Sequence, residues 1–311
     1  MLLYKCGVKS KIMEEIMILN VSGRTDIIAF YEKWFMNRLN AGFVDVRNPF
    51  NPNLVSRINF SDVDLILFCT KNPIPILNDL DKIKIPFIFH VTITPYKNDI
   101  EPNVILKTEI INAVKKISTI IGKDNIYIRY DPIFLSDKYN IVYHIKAFNK
   151  LCTLLKGYVN TIIVSFLDEY KNVLKNKNIL KYRQFTENEY KLIGENFSNI
   201  ARTNNIGVQT CFEDRNLTEY GFKKGECLSH ELAYKLTGKT YKSWKARKER
   251  KCECVEMVDI GCYNSCKHFC KYCYANYDEK MVNENFKNHD VNSSLLCGNL
   301  KKDDIIKVRN K

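Results

Sequence analysis

Short runs of β-branched and aromatic residues recur along the chain, and amphipathic segments of helical periodicity lie between them. Runs that are apolar at nearly every position are typical of strands buried on both faces of a sheet. The alternation of such strands with helices indicates parallel βα units. The pattern predicts eight strands, at residues 16–22, 43–46, 63–69, 87–94, 126–130, 161–166, 207–212 and 254–260.

The intervening segments predict helices at residues 26–40, 103–121, 141–155 and 186–203. The last of these opens with Thr186 and Glu189 in the spacing of a capping box. Eight strands alternating with helices match the size of a (β/α)8 TIM-type barrel, which needs about 250 residues. An open, doubly wound sheet is the alternative α/β fold, but the first strand is not followed by a Gly-rich phosphate loop.

The barrel is expected to form one domain at residues 16–277, between an N-terminal extension at 1–15 and a C-terminal tail at 278–311. Polar and charged residues follow successive predicted strands. In a barrel, the loops after the strands converge on one rim, which carries the active site. The alternative is that these residues form turns and helix caps. The segments are 22–26, 47–49, 70–73, 92–96, 129–132, 165–168 and 211–213.

The amino-acid composition argues against a disulfide scaffold and against a membrane-spanning protein. Twelve cysteines in 311 residues are too few for a disulfide scaffold, so reduced thiols or metal ligands are expected in a cytoplasmic protein. No apolar run approaches the roughly 18 residues of a membrane span. The net charge of +13 admits a nucleic-acid partner, although a lysine-rich composition alone also produces it.

A basic segment at residues 235–251 carries Tyr241 and Trp244 among its charges. Such a helix can lie along a phosphate backbone while its aromatic rings stack on bases. The same pattern is also typical of a solvated helix face. A nucleic-acid-binding protein with a structural zinc or iron–sulfur site at its C-terminus is therefore the competing function.

Six cysteines fall between residues 252 and 273, and three of them form the pattern Cys266-x-x-x-Cys270-x-x-Cys273. Soft thiolates select zinc, copper(I) or iron–sulfur clusters. A structural zinc site needs four ligands. An iron–sulfur cube held by three thiolates leaves one iron open to another ligand.

The pattern Cys266-Lys-His-Phe-Cys270-Lys-Tyr-Cys273 resembles the CxxxCxΦC signature of the radical S-adenosylmethionine (SAM) superfamily, with Tyr272 at the aromatic position. The resemblance implies a [4Fe-4S] cluster on Cys266, Cys270 and Cys273, with SAM on the fourth iron. It also implies reductive cleavage of SAM, hydrogen abstraction from a substrate, and a cytosolic electron donor such as flavodoxin or ferredoxin. A nucleic-acid partner is not favoured, and no membrane is expected.

The position of the motif departs from the superfamily, whose cysteines ordinarily follow the first strand. In a closed barrel the last strand lies beside the first, so the cluster-bearing βα unit would be moved to the C-terminus in a permuted barrel. By this resemblance, the loop after the first strand would contact the cofactor. The predicted cofactor-binding residues are Ser22, Thr25, Asp26, Thr70, Asn72, Thr92, Thr94 and Tyr272.

The wider sequence also resembles an uncharacterised bacterial domain-of-unknown-function family with a radical-SAM-like cysteine cluster at its C-terminus. That resemblance brings no substrate. The matching elements are SGRTD at 22–26, WF at 34–35, RNP at 47–49, TKNP at 70–73, TITPY at 92–96, RYDPI at 129–133, SFLD at 165–168 and the segment 259–276.

Charged residues of the rim are the predicted catalytic groups. Arginine presents a fork suited to carboxylate or phosphate, which indicates an anionic substrate or the SAM carboxylate. Pairing with Asp26, Asp131, Asp168 or Glu213 would consume the same charges. The predicted set is Arg24, Lys71, Arg129 and Asp131, with Arg47 on the same rim. A barrel hydrolase using Asp131, Asp168 and Glu213 as acid–base groups is a third alternative.

A second metal site is predicted from the remaining cysteines, with Cys262 a spare. Cys211, Cys227, Cys252 and Cys254 would hold either an auxiliary iron–sulfur cluster or a structural zinc. The alternative is that the first two are buried and the last two are unpaired.

Overall fold

The structure is a computed structural model that describes residues 17–211, 213, 215–244 and 253–309. The extension predicted at 1–15 lies outside these residues. Within them the strands are β1 Met17–Val21, β2 Phe43–Arg47, β3 Leu54–Asn59, β4 Val63–Thr70, β5 Phe87–Thr92, β6 Ile126–Ile133, β7 Thr161–Phe166, β8 Gly207–Cys211, β9 Lys223–Gly225, β10 Val258–Asp259 and β11 Ile305–Val308.

Eight of these strands form one parallel sheet in the order β10-β1-β4-β5-β6-β7-β8-β9. The predicted α/β class is confirmed, and the sheet is consistent with a (β/α)8-like barrel. Strand β10 is the last of these eight along the chain but pairs with β1, with Leu19 opposite Val258. A closed barrel is not observed in the described part of the chain, where β9 and β10 are the two edges. Near these edges, the backbone N–H of Val255 donates to the carbonyl of Leu228 at 3.2 Å.

The predicted strand at 43–46 exists but does not belong to the main sheet, so its expected place on the rim is wrong. It is β2, which pairs antiparallel with β3 in a separate sheet of order β11-β3-β2. An ion pair between buried Asp45 and Arg57 joins β2 to β3. The main sheet contains β9 in place of the predicted strand at 43–46. The sequence does not predict β9, because Lys-Lys-Gly has no apolar pattern.

The helices separate the strands much as the periodicity predicts. The helix 141–155 is found with those bounds, and the capping box of Thr186 and Glu189 is present. The predicted helix 26–40 is divided at Tyr31. In the described residues the α-helices are α1 Ile27–Phe30, α2 Glu32–Ala41, α3 Lys107–Ile121, α4 Ile141–Leu155, α5 Lys171–Lys175, α6 Lys177–Leu180, α7 Glu187–Thr203, α8 His230–Thr237 and α9 Glu279–Lys287.

Both faces of the main sheet are covered. Alternate residues such as Leu19, Ile66 and Phe89 pack into the larger core together with side chains of the helices. The intervening residues Ile18, Leu65, Leu67 and Ile88 pack into a second core, whose other members are Leu228, Ala233, Tyr241, Val255 and Met257. Coverage of both faces explains why the strands are apolar at nearly every position.

Two further features frame the site. The segment after Tyr277 continues into α9 and then β11, which pairs with β3. None of the helices in the described residues combines the length and the apolar character needed to span a bilayer.

Candidate active site at the carboxyl ends of the strands

The cysteine loop, defined here as residues 261–277, follows β10 at the carboxyl end of the main sheet. Side-chain amides of neighbouring elements bind its carbonyls. Asn172 of α5 donates to the carbonyl of Cys273 at 3.1 Å, and Asn176 donates to that of Lys271 at 2.7 Å. The backbone N–H of Lys271 donates to the carbonyl of Ile100, which follows β5. The loop is therefore fixed by elements from across the sheet.

Cys266 is buried, and Cys270 and Cys273 are half-buried. The thiols of Cys270 and Cys273 both raise the pKa of Cys266, and Cys273 raises the pKa of Cys270. Burial is the main cause of the raised pKa of all three. It raises the pKa of Cys270 to about 12, against the attraction of Lys71. A metal that binds here would therefore replace the thiol protons. Across the described ranges, no three His, Cys, Asp or Glu side chains already surround a common point as ligands of one ion.

Asp259 at the end of β10 organises the loop that follows β1. One carboxylate oxygen accepts from the hydroxyl of Ser22 at 2.8 Å and from the backbone N–H of Gly261 at 2.7 Å. The other accepts from the backbone N–H of Gly23 at 2.6 Å, and Nε of Arg24 lies 3.8 Å from the first oxygen. This aspartate joins the β1 loop to the cysteine loop. Sequence reasoning included it in a matching segment but assigned it no role.

Replacement of Gly261 by alanine is expected to disturb this junction. A Cβ at position 261 would lie 1.9 Å from the Ser22 hydroxyl oxygen, so the backbones must separate. We expect the G261A variant to lose about 1–3 kcal/mol of unfolding free energy through overpacking. Thermal unfolding measures it, with G207A as control because its Cβ would meet its nearest atom at 3.4 Å. Equal stability of the two variants would contradict the packing described.

The predicted cofactor ligand Asp26 is buried and already uses both oxygens. One accepts from the backbone N–H of Ala29 at 3.0 Å, which caps α1. The other accepts from the backbone N–H of Lys71 at 2.7 Å and contacts Nε2 of His268 at 2.9 Å. His268 is itself buried, with its ring edge-to-face on Phe30 at 4.6 Å between centroids. Asp26 thus links the loops after β1 and β4 to the cysteine loop.

Glu101, which sequence reasoning missed, is the centre of a buried polar cluster. Its carboxylate accepts from Nζ of Lys71 at 2.8 Å, from the hydroxyl of Thr94 at 2.7 Å, and from Lys107 and Tyr272. Burial alone would raise the pKa of Glu101, but Lys71 and Lys107 lower it to about 2. No strand-end pattern marks position 101, so only the fold reveals it.

The other predicted cofactor residues differ in whether their polar side-chain atoms already form hydrogen bonds within the protein. Thr70 accepts from the backbone N–H of Asn72, and Asn72 accepts from that of Ile74, as in ordinary turns. Thr92 is half-buried at the end of β5. The hydroxyl of Thr25 is buried and has no hydrogen-bond partner among the described residues. Of this group, Thr25 has the free polar atom that suits a bound ligand.

The predicted catalytic pair Arg129 and Asp131 form an ion pair, with Nε of Arg129 3.0 Å from a carboxylate oxygen. Ser165 donates to the other oxygen of Asp131 at 2.6 Å. The expected position of Arg47 on this rim is wrong. It lies at the end of β2, where it pairs with Asp304 at 2.5 Å. The remaining rim cations, Arg24 and Lys71, face Asp259 and Glu101.

Glu213 of the hydrolase alternative lies beyond β8, where the backbone N–H of Phe166 donates to its carboxylate at 2.8 Å. Burial raises the pKa of Glu213 to about 8, with Asp131 and Asp168 acting in the same direction. A carboxyl group with this pKa is mostly protonated at neutral pH. It does not provide a ready general base.

The second set of cysteines is brought together away from the cysteine loop. The sulfur atoms of Cys211 and Cys227 are 2.7 Å apart, and the backbone N–H of Cys227 donates to the sulfur of Cys254 at 3.2 Å. Cys252 lies outside the described residues, as do positions 245–251 of the basic segment.

Comparison with known proteins gives a family but no activity. No curated protein matches the chain. Residues 18–275 match the family described as Domain of unknown function (DUF1848). The match runs from β1 into the cysteine loop, past Cys273, and covers most of the 311 residues. The chain therefore belongs to the DUF1848 family, an uncharacterised family, as the resemblance of the wider sequence predicts.

Proposed function

We propose that this protein is a radical SAM-type enzyme that holds a [4Fe-4S] cluster on Cys266, Cys270 and Cys273. The observation that carries the proposal is one loop at the carboxyl edge of the sheet that holds three thiols in the CxxxCxxC spacing, with Cys266 buried and Cys270 and Cys273 half-buried. When bound, the cluster supplies the electron that cleaves SAM to methionine and a 5′-deoxyadenosyl radical, which takes a hydrogen atom from the substrate.

The donor set of the loop fits such a group. Thiolates are the ligands that iron–sulfur clusters use, and three of them leave one iron for another ligand. The cations Lys71 and Lys107 act on the thiol of Cys270, and positive charge stabilises thiolate. Lys71 Nζ also lies 5.5 Å from the ring centroid of Tyr272. These contacts support a role for Lys71 in balancing the negative charge of the ligated loop.

The order of strands supports the permuted arrangement. Because β10 pairs with β1, the cysteine loop after β10 is adjacent to the loop after β1. Asp259 and Asp26 bond across this junction. In the proposed enzyme, Ser22 and Asp26 hold the β1 loop in position and the unpartnered hydroxyl of Thr25 contacts the cofactor. Closure of the sheet into a barrel is part of the same proposal.

The polar cluster around Glu101, which packs against the loop, is buried, and this favours the exclusion of water that radical chemistry requires. Thr94 and Glu101 are each 1% exposed, and Tyr272 is 8% exposed. One thiol, Cys270, lines a surface cavity of about 390 Å³ together with Asn176 and Lys271. We assign this face to the entry of electrons from a small donor protein such as flavodoxin or ferredoxin.

SAM cleavage tests the proposal directly. The anaerobically reconstituted protein, reduced with dithionite, should convert SAM to methionine and 5′-deoxyadenosine, and the oxidised protein should not. Product analysis by chromatography measures both. A protein that binds zinc alone at these cysteines and leaves SAM intact would instead support the nucleic-acid-binding alternative.

A further inference from the structure

Three cysteines that are remote in sequence meet at the edges of the main sheet. Cys211 ends β8, Cys227 follows β9 and Cys254 precedes β10. The sulfur atoms of Cys211 and Cys227 are 2.7 Å apart, and Cys254 accepts from the backbone N–H of Cys227. Cys254 is completely buried and Cys211 is 5% exposed. This set is separate from the cysteine loop, whose thiols are Cys266, Cys270 and Cys273.

Two nitrogen-bearing side chains complete the surroundings. Nη1 of Arg129 donates to the sulfur of Cys227 at 3.3 Å. His90 of β5 is 1% exposed, and its Nε2 has no hydrogen-bond partner within the residues the structure describes. The imidazole of His90 interacts with both Cys227 and Arg129. A buried imidazole nitrogen without a partner is costly unless a ligand uses it.

We propose that Cys211, Cys227 and Cys254, with His90 as the fourth ligand, bind one Zn²⁺. Three cysteines and one histidine are an established ligand set for structural zinc, with Zn–S distances of about 2.3 Å. On binding, the three thiols release their protons and the sulfurs separate around the ion. The hydrogen bond from Arg129 then acts on a thiolate, as outer-sphere donors commonly do in metal sites.

The location gives the site a structural role. Cys227 and Cys254 are sequence neighbours of Leu228 and Val255, which together with Tyr241 pack against Leu65 and cover one face of the sheet. The same two cysteines lie beside β9 and β10, the edges of the sheet. An ion held between them would hold the two edges together and fix these covering residues, as structural zinc sites contribute to folding.

The experiment measures zinc, iron and sulfide in the full-length protein and in a C266A/C270A/C273A variant, which lacks the proposed cluster. We expect about one zinc per chain in both. In the same variant, replacement C227S should reduce zinc to less than about a tenth, whereas C152S, a lone buried thiol, should leave it unchanged. Because the cluster ligands are absent, this result does not depend on the proposed function.

Chelator titration of the wild-type protein provides the same stoichiometry without a substitution. Zinc should be released as one equivalent, and H90Q should release it at least about tenfold faster. Iron with sulfide in the C266A/C270A/C273A variant would overturn the assignment of zinc. Zinc retained in full by C227S would overturn the site, and normal release from H90Q alone would overturn the fourth ligand.

Discussion

The C270A variant is expected to lose the iron–sulfur cluster and, with it, all cleavage of SAM. Cys270 is the central cysteine of the CxxxCxxC pattern, and its thiol is the one on which Lys71 and Lys107 both act. A cube held by only two thiolates is not retained, so iron and sulfide should fall by at least about tenfold. Iron analysis and the absorbance of the reconstituted protein measure this loss.

The matched control is C152A, which removes a buried thiol of α4 far along the chain from the loop. It should lose some stability through the cavity it leaves, yet keep its iron. Unchanged iron and unchanged SAM cleavage in C270A would contradict the assignment of the cluster. Activity that survives in the C270A variant would also favour the hydrolase alternative.

The E101Q variant is expected to be strongly destabilised. The buried carboxylate of Glu101 neutralises Lys71 and Lys107, and an amide would leave these cations, whose side chains are only 13% and 28% exposed, without their partner. Breaking a buried ion pair by changing one partner costs about 3–5 kcal/mol. Denaturant unfolding measures the change, with E284Q on the exposed side of α9 as control, which should shift the unfolding free energy by less than about 0.5 kcal/mol.

The same carboxylate predicts a pH dependence. Its pKa is about 2 in the folded protein, below the ordinary value of 4.5, because the attraction of the two lysines exceeds the effect of burial. Its contribution to stability is therefore fully present above pH 4.5 and is lost as the pH falls toward 2. The fall in stability over this range should be less steep in E101Q than in the wild type. Parallel acid unfolding curves would contradict the role of Glu101.

The elements that were predictable from the sequence are those with a strong local pattern. The helix 141–155 and the capping box at Thr186 are local features, and both are present as predicted. The strand at 43–46 was also recognisable, but its partner was not. Pairing with β3 depends on long-range contacts such as Asp45 with Arg57, which no local pattern encodes. The three residues of β9 carry no strand signal at all.

The residues of the candidate site also fall into those that a local sequence pattern reveals and those that only the fold reveals. Cys266, Cys270 and Cys273 were recognisable because one short loop carries them. Asp259 and Glu101 were not assigned a role, because the contacts that place them in the site, with Ser22 and with Tyr272, are made by residues far away in sequence. Several predicted ligands, such as Thr70 and Asn72, instead complete local turns. Spacing identifies ligands on one loop, whereas the fold is needed to identify residues that position them.

Electron paramagnetic resonance of the anaerobically purified, dithionite-reduced protein, recorded with and without SAM, tests whether the three cysteines hold a SAM-binding cluster. We expect a [4Fe-4S]⁺ signal that changes shape when SAM is added, because one iron is open to the cofactor. A signal that is indifferent to SAM, or no iron signal after reconstitution, would contradict this assignment.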